Sequence, residues 1–369
     1  MKTVYILGAG FSVEAGAPMQ AAIIREAFRL YNSNDQQFDR KRFDIFVSFI
    51  RKQLNVTEEH FADVDLEDIF TPLDRCLTES SQYRGIGLDQ IMKVRESVFY
   101  VVGRTIQCLL NETNNSKDYI NKFANYLTKK SSIRTGENYK REDPVSVIST
   151  NWDILLDNSI YQLLQSNNTY DGVVDYCCYI SSKDESDTTI MPGLEKLGKG
   201  GFNVKLLKLH GSLNWFQCPR CARLYTRFSR KEAMDNFVRS SSCRHCDKNF
   251  PEEVGNHKLS PNLIMPTYLK DLSNPQYRII WQNAGIEISE ADEIVFIGYS
   301  LPYADFEMRQ LLSRMTRKNA KIHVVDYRQE GNTADLELHW SKFFGEREIK
   351  FSFNGAKAFV DALMLENSN

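Results

Sequence analysis

Three short segments of this chain carry residue types that can act together chemically. Gly8-Ala9-Gly10-Phe-Ser12 is a small-residue turn, Ser149-Thr-Asn151-Trp-Asp153 supplies an amide and a carboxylate, and Lys208-Leu-His210-Gly211 supplies an imidazole. Each follows an apolar run that reads as a strand end, namely Thr3–Leu7, Val145–Ser149 and Val204–Leu209. In an open α/β sheet, the carboxyl ends of strands are where ligands bind. A small-residue turn between strand and helix lets backbone N–H groups approach a pyrophosphate, whose charge the helix dipole favours. The match to GxGxxG is incomplete, because Val13 stands where the third glycine would be, and a tight turn with no ligand has the same local sequence. Asn151 could simply cap the next helix, and His210 could be a satisfied polar residue.

The elements that must position these groups follow from periodicity. Further strand signals lie at Asn262–Met265, Glu293–Ile297 and Lys321–Val325, with helical spacing over Phe306–Met315. Strand, helix and strand in succession imply parallel βαβ units and a doubly wound sheet. Between about Met19 and Lys130 the period is helical, with five amphipathic segments, which reads as a large insertion that either makes subunit contacts or packs as core beside the sheet. Five such segments exceed what one sheet face is expected to bury. Uncovered apolar stripes of that kind mark subunit or partner contacts, so a homo-oligomer is expected. Ser181–Lys199 reads as a mobile loop, 111–117 and 131–143 as polar linkers, and the last four residues as frayed. Trp152, Trp215 and His323 read as packing residues.

Of eight cysteines, four form Cys218-Pro-Arg-Cys221 and Cys243-Arg-His-Cys246. That spacing reads as a structural zinc site with thiolate ligands, His245 being outside the set. Cys76, Cys108, Cys177 and Cys178 show no ligand spacing and read as packed thiols. The 369 residues are 42% hydrophobic and 25% charged, with a net charge of −2, so the bulk charge calls for neither nucleic acid nor an anionic membrane surface. No signal-peptide pattern opens the chain and no run approaches the roughly 18 apolar residues of a membrane span. A cytoplasmic location is the expectation.

Taken together, the segments resemble the sirtuins, the NAD-consuming protein deacylases. Gly8-Ala-Gly-Phe-Ser12-Val-Glu-Ala-Gly16-Ala-Pro18 resembles their GAGxSxxSGIP signature, STNWD their TQNID motif, His210-Gly211 their catalytic HG, and Gly298-Tyr-Ser300-Leu301 their GTSL segment. Order and spacing agree from Val4 to Arg328 apart from the insertion, and the cysteine quartet falls where sirtuins carry a zinc ribbon. The resemblance implies a Rossmann-like, sirtuin-type α/β fold over 1–18, 140–217 and 255–369, an insertion at 19–139 and a zinc-ribbon module at 218–250. It also implies NAD as substrate: Asn151 to position water or a ribose hydroxyl, Asp153 to hold the carboxamide, and His210 to act as general base. Gly8, Ala9, Gly10 and Ser12 would take the pyrophosphate, Gly298 and Ser300 would line ADP-ribose, and Asp326 would bind ribose hydroxyls.

The chain departs from deacylases where they hold peptide. Deacylases add the peptide as a strand through VxFGE and VxPFxxLP segments, whereas here the stretch is Ser260-Pro-Asn-Leu-Ile-Met-Pro266-Thr-Tyr, and Pro266 lacks a backbone donor. Met19-Gln-Ala-Ala also replaces the usual Phe-Arg. These departures resemble the sirtuin-like NAD hydrolases of bacterial antiphage defence, some of which work with a partner such as a HerA-type ATPase. The expectation is hydrolysis of NAD to nicotinamide and ADP-ribose. The alternatives are a protein lysine deacylase and a non-catalytic NAD or ADP-ribose sensor.

Overall fold

Short β-branched runs bounded by turns become the strands of a central sheet. The structure, a computed structural model, describes residues 1–112, 117–134, 143–166, 171–184, 190–228, 241–253, 255–267, 270–328 and 333–367. Parts of both expected linkers, 185–189 of the expected loop, 229–240 of the expected zinc module and the last two residues lie outside this set. The rest of the 181–199 stretch is ordered in part as a helix, Gly193–Gly198.

The strands are β1 (Thr3–Leu7), β2 (Val145–Ser149), β3 (Gly172–Asp175), β4 (Ile180–Ser182), β5 (Phe202–Lys208), β6 (Gly211–Gln217), β7 (Leu224–Thr226), β8 (Ser260–Leu263), β9 (Glu293–Ile297), β10 (Lys321–Val325) and β11 (Ile349–Ser352). Seven of them form one sheet in the order β11-β10-β9-β1-β2-β5-β3. All its pairings are parallel. β1 and β2 are buried at every position, as expected for strands covered on both faces. Winding reverses at β1: β2, β3 and β5 lie on one side of it and β9, β10 and β11 on the other. The crevice between the ends of β1 and β9 is therefore the topological switch point, where such sheets bind ligands.

Asn262–Met265, expected as a strand of this series, belongs elsewhere. Its first two residues end β8, which lies in a second sheet of order β4-β7-β6-β8, antiparallel to β6. An apolar run reports burial and not its partner.

Local signals set the helix ends. Asp39 Oδ1 accepts from Arg42 N at 3.0 Å to start Arg40–Lys52. Asn274 caps Pro275–Glu290, where proline sits at the first helical position. The helices Ile23–Ser33, Arg40–Lys52, Leu66–Glu79 and Leu88–Glu112 bury their apolar faces against one another in a core of their own, which takes in Trp152, Ile154, Leu213, Leu263 and Met265 from the strand ends. The expected uncovered stripes are thus covered. Asp118–Ser131 packs instead in the sheet's core, through Tyr119, Ile120, Phe123 and Leu127. Trp215 and His323 are buried, and His323 Nε2 lies 2.9 Å from Ser352 Oγ. Among the described residues no helix is long and apolar enough to cross a membrane.

Two turns meet at the switch point without side chains between them. A Cβ on Gly8 would lie 2.5 Å from Gly298 O, and one on Gly10 would lie 2.7 Å from Gly298 Cα. Gly298 itself has φ +61°, a conformation natural to glycine. We expect Gly298→Ala to lower stability by about 2 kcal/mol or more, from overpacking plus backbone strain. Urea unfolding followed by circular dichroism checks this; an unchanged midpoint would show that the contact is dispensable.

Candidate active site

The segments leaving β1, β2 and β5 converge. Asn151 Nδ2 donates to Gly8 O at 2.8 Å and lies 3.5 Å from Ser12 Oγ. Its side chain therefore ties β2 to the glycine turn. At the start of helix Leu155–Ser166, Asp153 Oδ1 accepts from Leu155 N at 3.0 Å. Beneath this turn, Lys208 Nζ donates to Asp153 O at 2.6 Å and lies 3.2 Å from Asp157 Oδ2. Both side chains are buried, so the pair fixes the Asn151–Asp153 turn from below.

The helix after the glycine turn is a single turn, Gly10–Val13. A dipole built from so few peptide units is small, so the anion affinity expected from it is reduced. Tyr119 OH donates to Phe11 O at 2.6 Å, and the Phe11 ring packs edge-on against Tyr119 at 5.8 Å. A helix from the stretch read as insertion thus holds the turn in place.

A cavity of about 430 Å³ opens over these strand ends, within the range of small-molecule and cofactor sites. Gly8, Ala9, Gly10, Asn151, Asp153, His210, Gly298, Ser300 and Asp326 all line it. Trp152, read from sequence as packing, lines it too. Ser12 is buried behind the turn, with its hydroxyl towards Asn151. Asp326 Oδ1 accepts from Tyr327 N at 2.8 Å, and its Oδ2 lies 3.3 Å from Arg328 Nε.

Sequence reasoning missed several lining residues. Ile23, Glu67 and Ile106 come from the insertion helices. Glu67 accepts from Gln20 Nε2 at 2.7 Å, and burial pushes its carboxyl up. Asp305 and Lys270 are further additions. His210 Nε2 lies 3.3 Å from Asp305 Oδ1, an ion-pair distance when the ring is protonated; its alignment falls short of a hydrogen bond. Lys270 Nζ donates to the same oxygen at 2.8 Å, and Tyr299 OH donates to Oδ2 at 2.8 Å. Burial opposes the Asp305 charge, but the facing His210 and Lys270 outweigh it and hold the carboxyl well below the usual carboxylate range. The sequence signal for Asp305 was its place just before helix Phe306–Met315. Lys270 gave none.

The stretch aligned with the deacylases' peptide-binding strand has its backbone occupied. Ile264 N donates to His210 O at 2.9 Å, and Ile264 O accepts from Trp152 Nε1 at 3.1 Å. Thr267 N donates to Met265 O at 2.9 Å, Pro266 has no N–H, and the Met265 side chain is buried in the insertion core.

Away from the cavity, the Sγ atoms of Cys218, Cys221, Cys243 and Cys246 all lie within 4.8 Å of one another. The pairs Cys218–Cys246 and Cys221–Cys243 are separated by 3.8 and 3.9 Å. A tetrahedron with Zn–S bonds of about 2.3 Å has edges of about 3.8 Å, so the donor set fits zinc. No disulfide joins these thiols. Tyr225 OH lies 3.3 Å from Cys243 Sγ. Three of the four cysteines are buried with Phe216 and Leu259, leaving no open coordination position for chemistry. The site is structural.

No family model matches this chain, and no curated protein matches it. Solved structures resemble it at low identity. A Sir2 homologue in complex with NAD is 13% identical with a TM-score of 0.43, the match covering 99% of this chain and 88% of that one. A Sir2–p53 peptide–NAD+ complex is 15% identical with a TM-score of 0.40, covering 100% and 93%. A structure on the basis of sirtuin substrate affinity is 14% identical with a TM-score of 0.39, again covering 100% and 93%.

Purified protein is expected to carry one zinc per chain by elemental analysis. Cys243→Ser should reduce this below half an equivalent and lower the thermal midpoint, because structural zinc binding contributes about 10–16 kcal/mol in small zinc peptides. Full stability after metal removal would refute a structural role.

Proposed function

We propose that this chain is a sirtuin-like NAD glycohydrolase that cleaves NAD+ with water to nicotinamide, ADP-ribose and a proton. The observation that carries this reading over deacylation is the occupied backbone of Ile264–Thr267. A peptide added as a strand needs free donors and acceptors there. Two of the groups are bonded to His210 and Trp152, one is lost to Pro266, and insertion helices cover Met265. The cavity over β1, β2 and β5 retains its polar lining.

In this reading the ribose C1′–nitrogen bond breaks with its electron pair going to nicotinamide, through an oxocarbenium-like state. Water then bonds to C1′, and its proton passes to His210 and on to solvent. Asn151, buried and already oriented by Gly8, positions the water or a ribose hydroxyl. Asp153 holds the carboxamide with the oxygen not bonded to Leu155 N. The glycine turn takes the pyrophosphate, Gly298 and Ser300 line the ADP-ribose, and Asp326 receives ribose hydroxyls. Since depletion of NAD would kill the host cell, the proposal includes a low basal rate in the isolated protein that assembly or a partner raises, as in antiphage systems that pair such enzymes with a HerA-type ATPase. A sensor without turnover would have no need of both Asn151 and His210.

Incubated with NAD and no peptide, the protein should release ADP-ribose, detected by chromatography. Asn151→Ala and His210→Ala should each lower that rate roughly 100-fold or more. Asn151→Ala should also lose about 1 kcal/mol of stability with its bond to Gly8. Acyl-ADP-ribose formed only with an acetylated peptide would replace this reading with the deacylase.

A further inference from the structure

The hydrolase reading leaves a buried carboxylate beside the base without a role. Asp305 follows the turn that ends β9, and its backbone is fixed on both sides, N to Pro302 O at 3.2 Å and O from Arg309 N at 3.0 Å. Its side chain is 5% exposed and Lys270 is 2% exposed. Both carboxylate oxygens are anchored, Oδ1 by Lys270 and Oδ2 by Tyr299. Lys270 is held in turn by Glu307 Oε2 at 2.6 Å. A simple Lys270–Asp305 structural pair would be complete at this point. Yet the oxygen that Lys270 holds is also the one facing His210 Nε2, and among the described residues that nitrogen has no other partner.

We propose that Asp305 is the positioning residue for His210, a role that rests on the hydrolase reading. It fixes the imidazole over the cavity and stabilises the imidazolium formed when His210 takes the water's proton, while Lys270 and Tyr299 hold the carboxylate in place. Asp305 receives no proton itself; the proton leaves His210 for solvent. This is the division of labour that a carboxylate performs for a histidine base in hydrolytic triads. Among the described residues, Asp305 is the charged group within ion-pair distance of the ring. Lys270 and Glu307 lie behind it, and Asp153, Glu67, Asp326 and Arg328 share the cavity wall.

His210 acts as base when neutral, so the rate falls as pH drops through formation of the imidazolium. A carboxylate beside the ring favours the charged form, and a nearby ammonium disfavours it. Asp305→Asn should therefore move the acid limb of the rate–pH profile to lower pH and reduce plateau kcat roughly 100-fold. KM for NAD should change less than about threefold, because an interaction made in the transition state is lost. Lys270→Gln should move the limb the opposite way. Any charge at this distance moves the limb, so the plateau discriminates: a carboxylate that only completes the Lys270 pair would leave kcat at the plateau near its wild-type value. Asp305→Asn with a normal plateau overturns the proposal while leaving the hydrolase reading intact.

NMR titration of the His210 ring, assigned by its absence in His210→Ala, keeps the two ideas separable. If the wild type leaves NAD intact, the hydrolase reading fails. The titration then still decides whether Asp305→Asn lowers the His210 midpoint, and an unmoved midpoint overturns the pairing. Should Asp305→Asn fail to fold, the Lys270→Gln profile decides alone, and an acid limb that stays or moves down overturns the proposal.

Discussion

The contact between two glycine turns governs the rest of the site. β1 and β9 are adjacent and parallel, so the chains leaving them must diverge or pack closely. Here they pack, and Gly8 and Gly10 lie so near Gly298 that no side chain fits at any of the three positions. The contact places Gly8 O where Asn151 Nδ2 can reach it, which draws in the segment after β2. It also sets the path of 299–305, which carries Tyr299 and Asp305 towards His210. Glycine at these positions has a structural cause before any phosphate is considered. A nucleotide reading therefore depends on the cavity and its convergent polar groups, since the glycines alone would be explained without it.

Electrostatics then divides the site into a fixed floor and a working surface. Lys208 and Asp157 are buried as a pair whose members could not stay charged apart, because each would lose its hydration without compensation. Removing either partner would unsettle the carbonyl of Asp153 and the turn above it. Lys270 and Asp305 differ, because their shared oxygen also faces a titratable ring at the cavity wall. A buried ion pair that includes a titratable neighbour is sensitive to the protonation of that neighbour, and the role proposed for Asp305 uses this sensitivity.

What could be read from sequence followed from how local each signal is. The glycine turn, Asn151, Asp153, His210, Gly298 and Asp326 sit within a few residues of strand ends, so the strand pattern places them and the sheet brings them together. The paired CxxC spacing likewise leads to a cluster whose geometry fits one metal. Glu67 and Ile106 were not legible, since their presence in the cavity depends on how distant helices pack. β3 (GVVD) and β11 (IKFS) are short and partly polar, too weak a pattern to stand out. The five amphipathic segments were recognised as helices, but their number could not tell that four would cover one another and the fifth would join the sheet.

That packing changes what the insertion means for chemistry. Helices with exposed stripes would have been a surface for another subunit. Helices that bury Trp152, Leu213, Leu263 and Met265 instead become part of the cavity wall. They hold the indole that occupies Ile264 O, and through that carbonyl they help close the stretch where a peptide strand would pair. They also contribute Ile23, Glu67 and Ile106 directly to the cavity. A movement of these helices would alter cavity shape and strand-edge access together. Any control of activity by a partner docking on the insertion would therefore act on the site through packed side chains already in contact with it, without a separate relay.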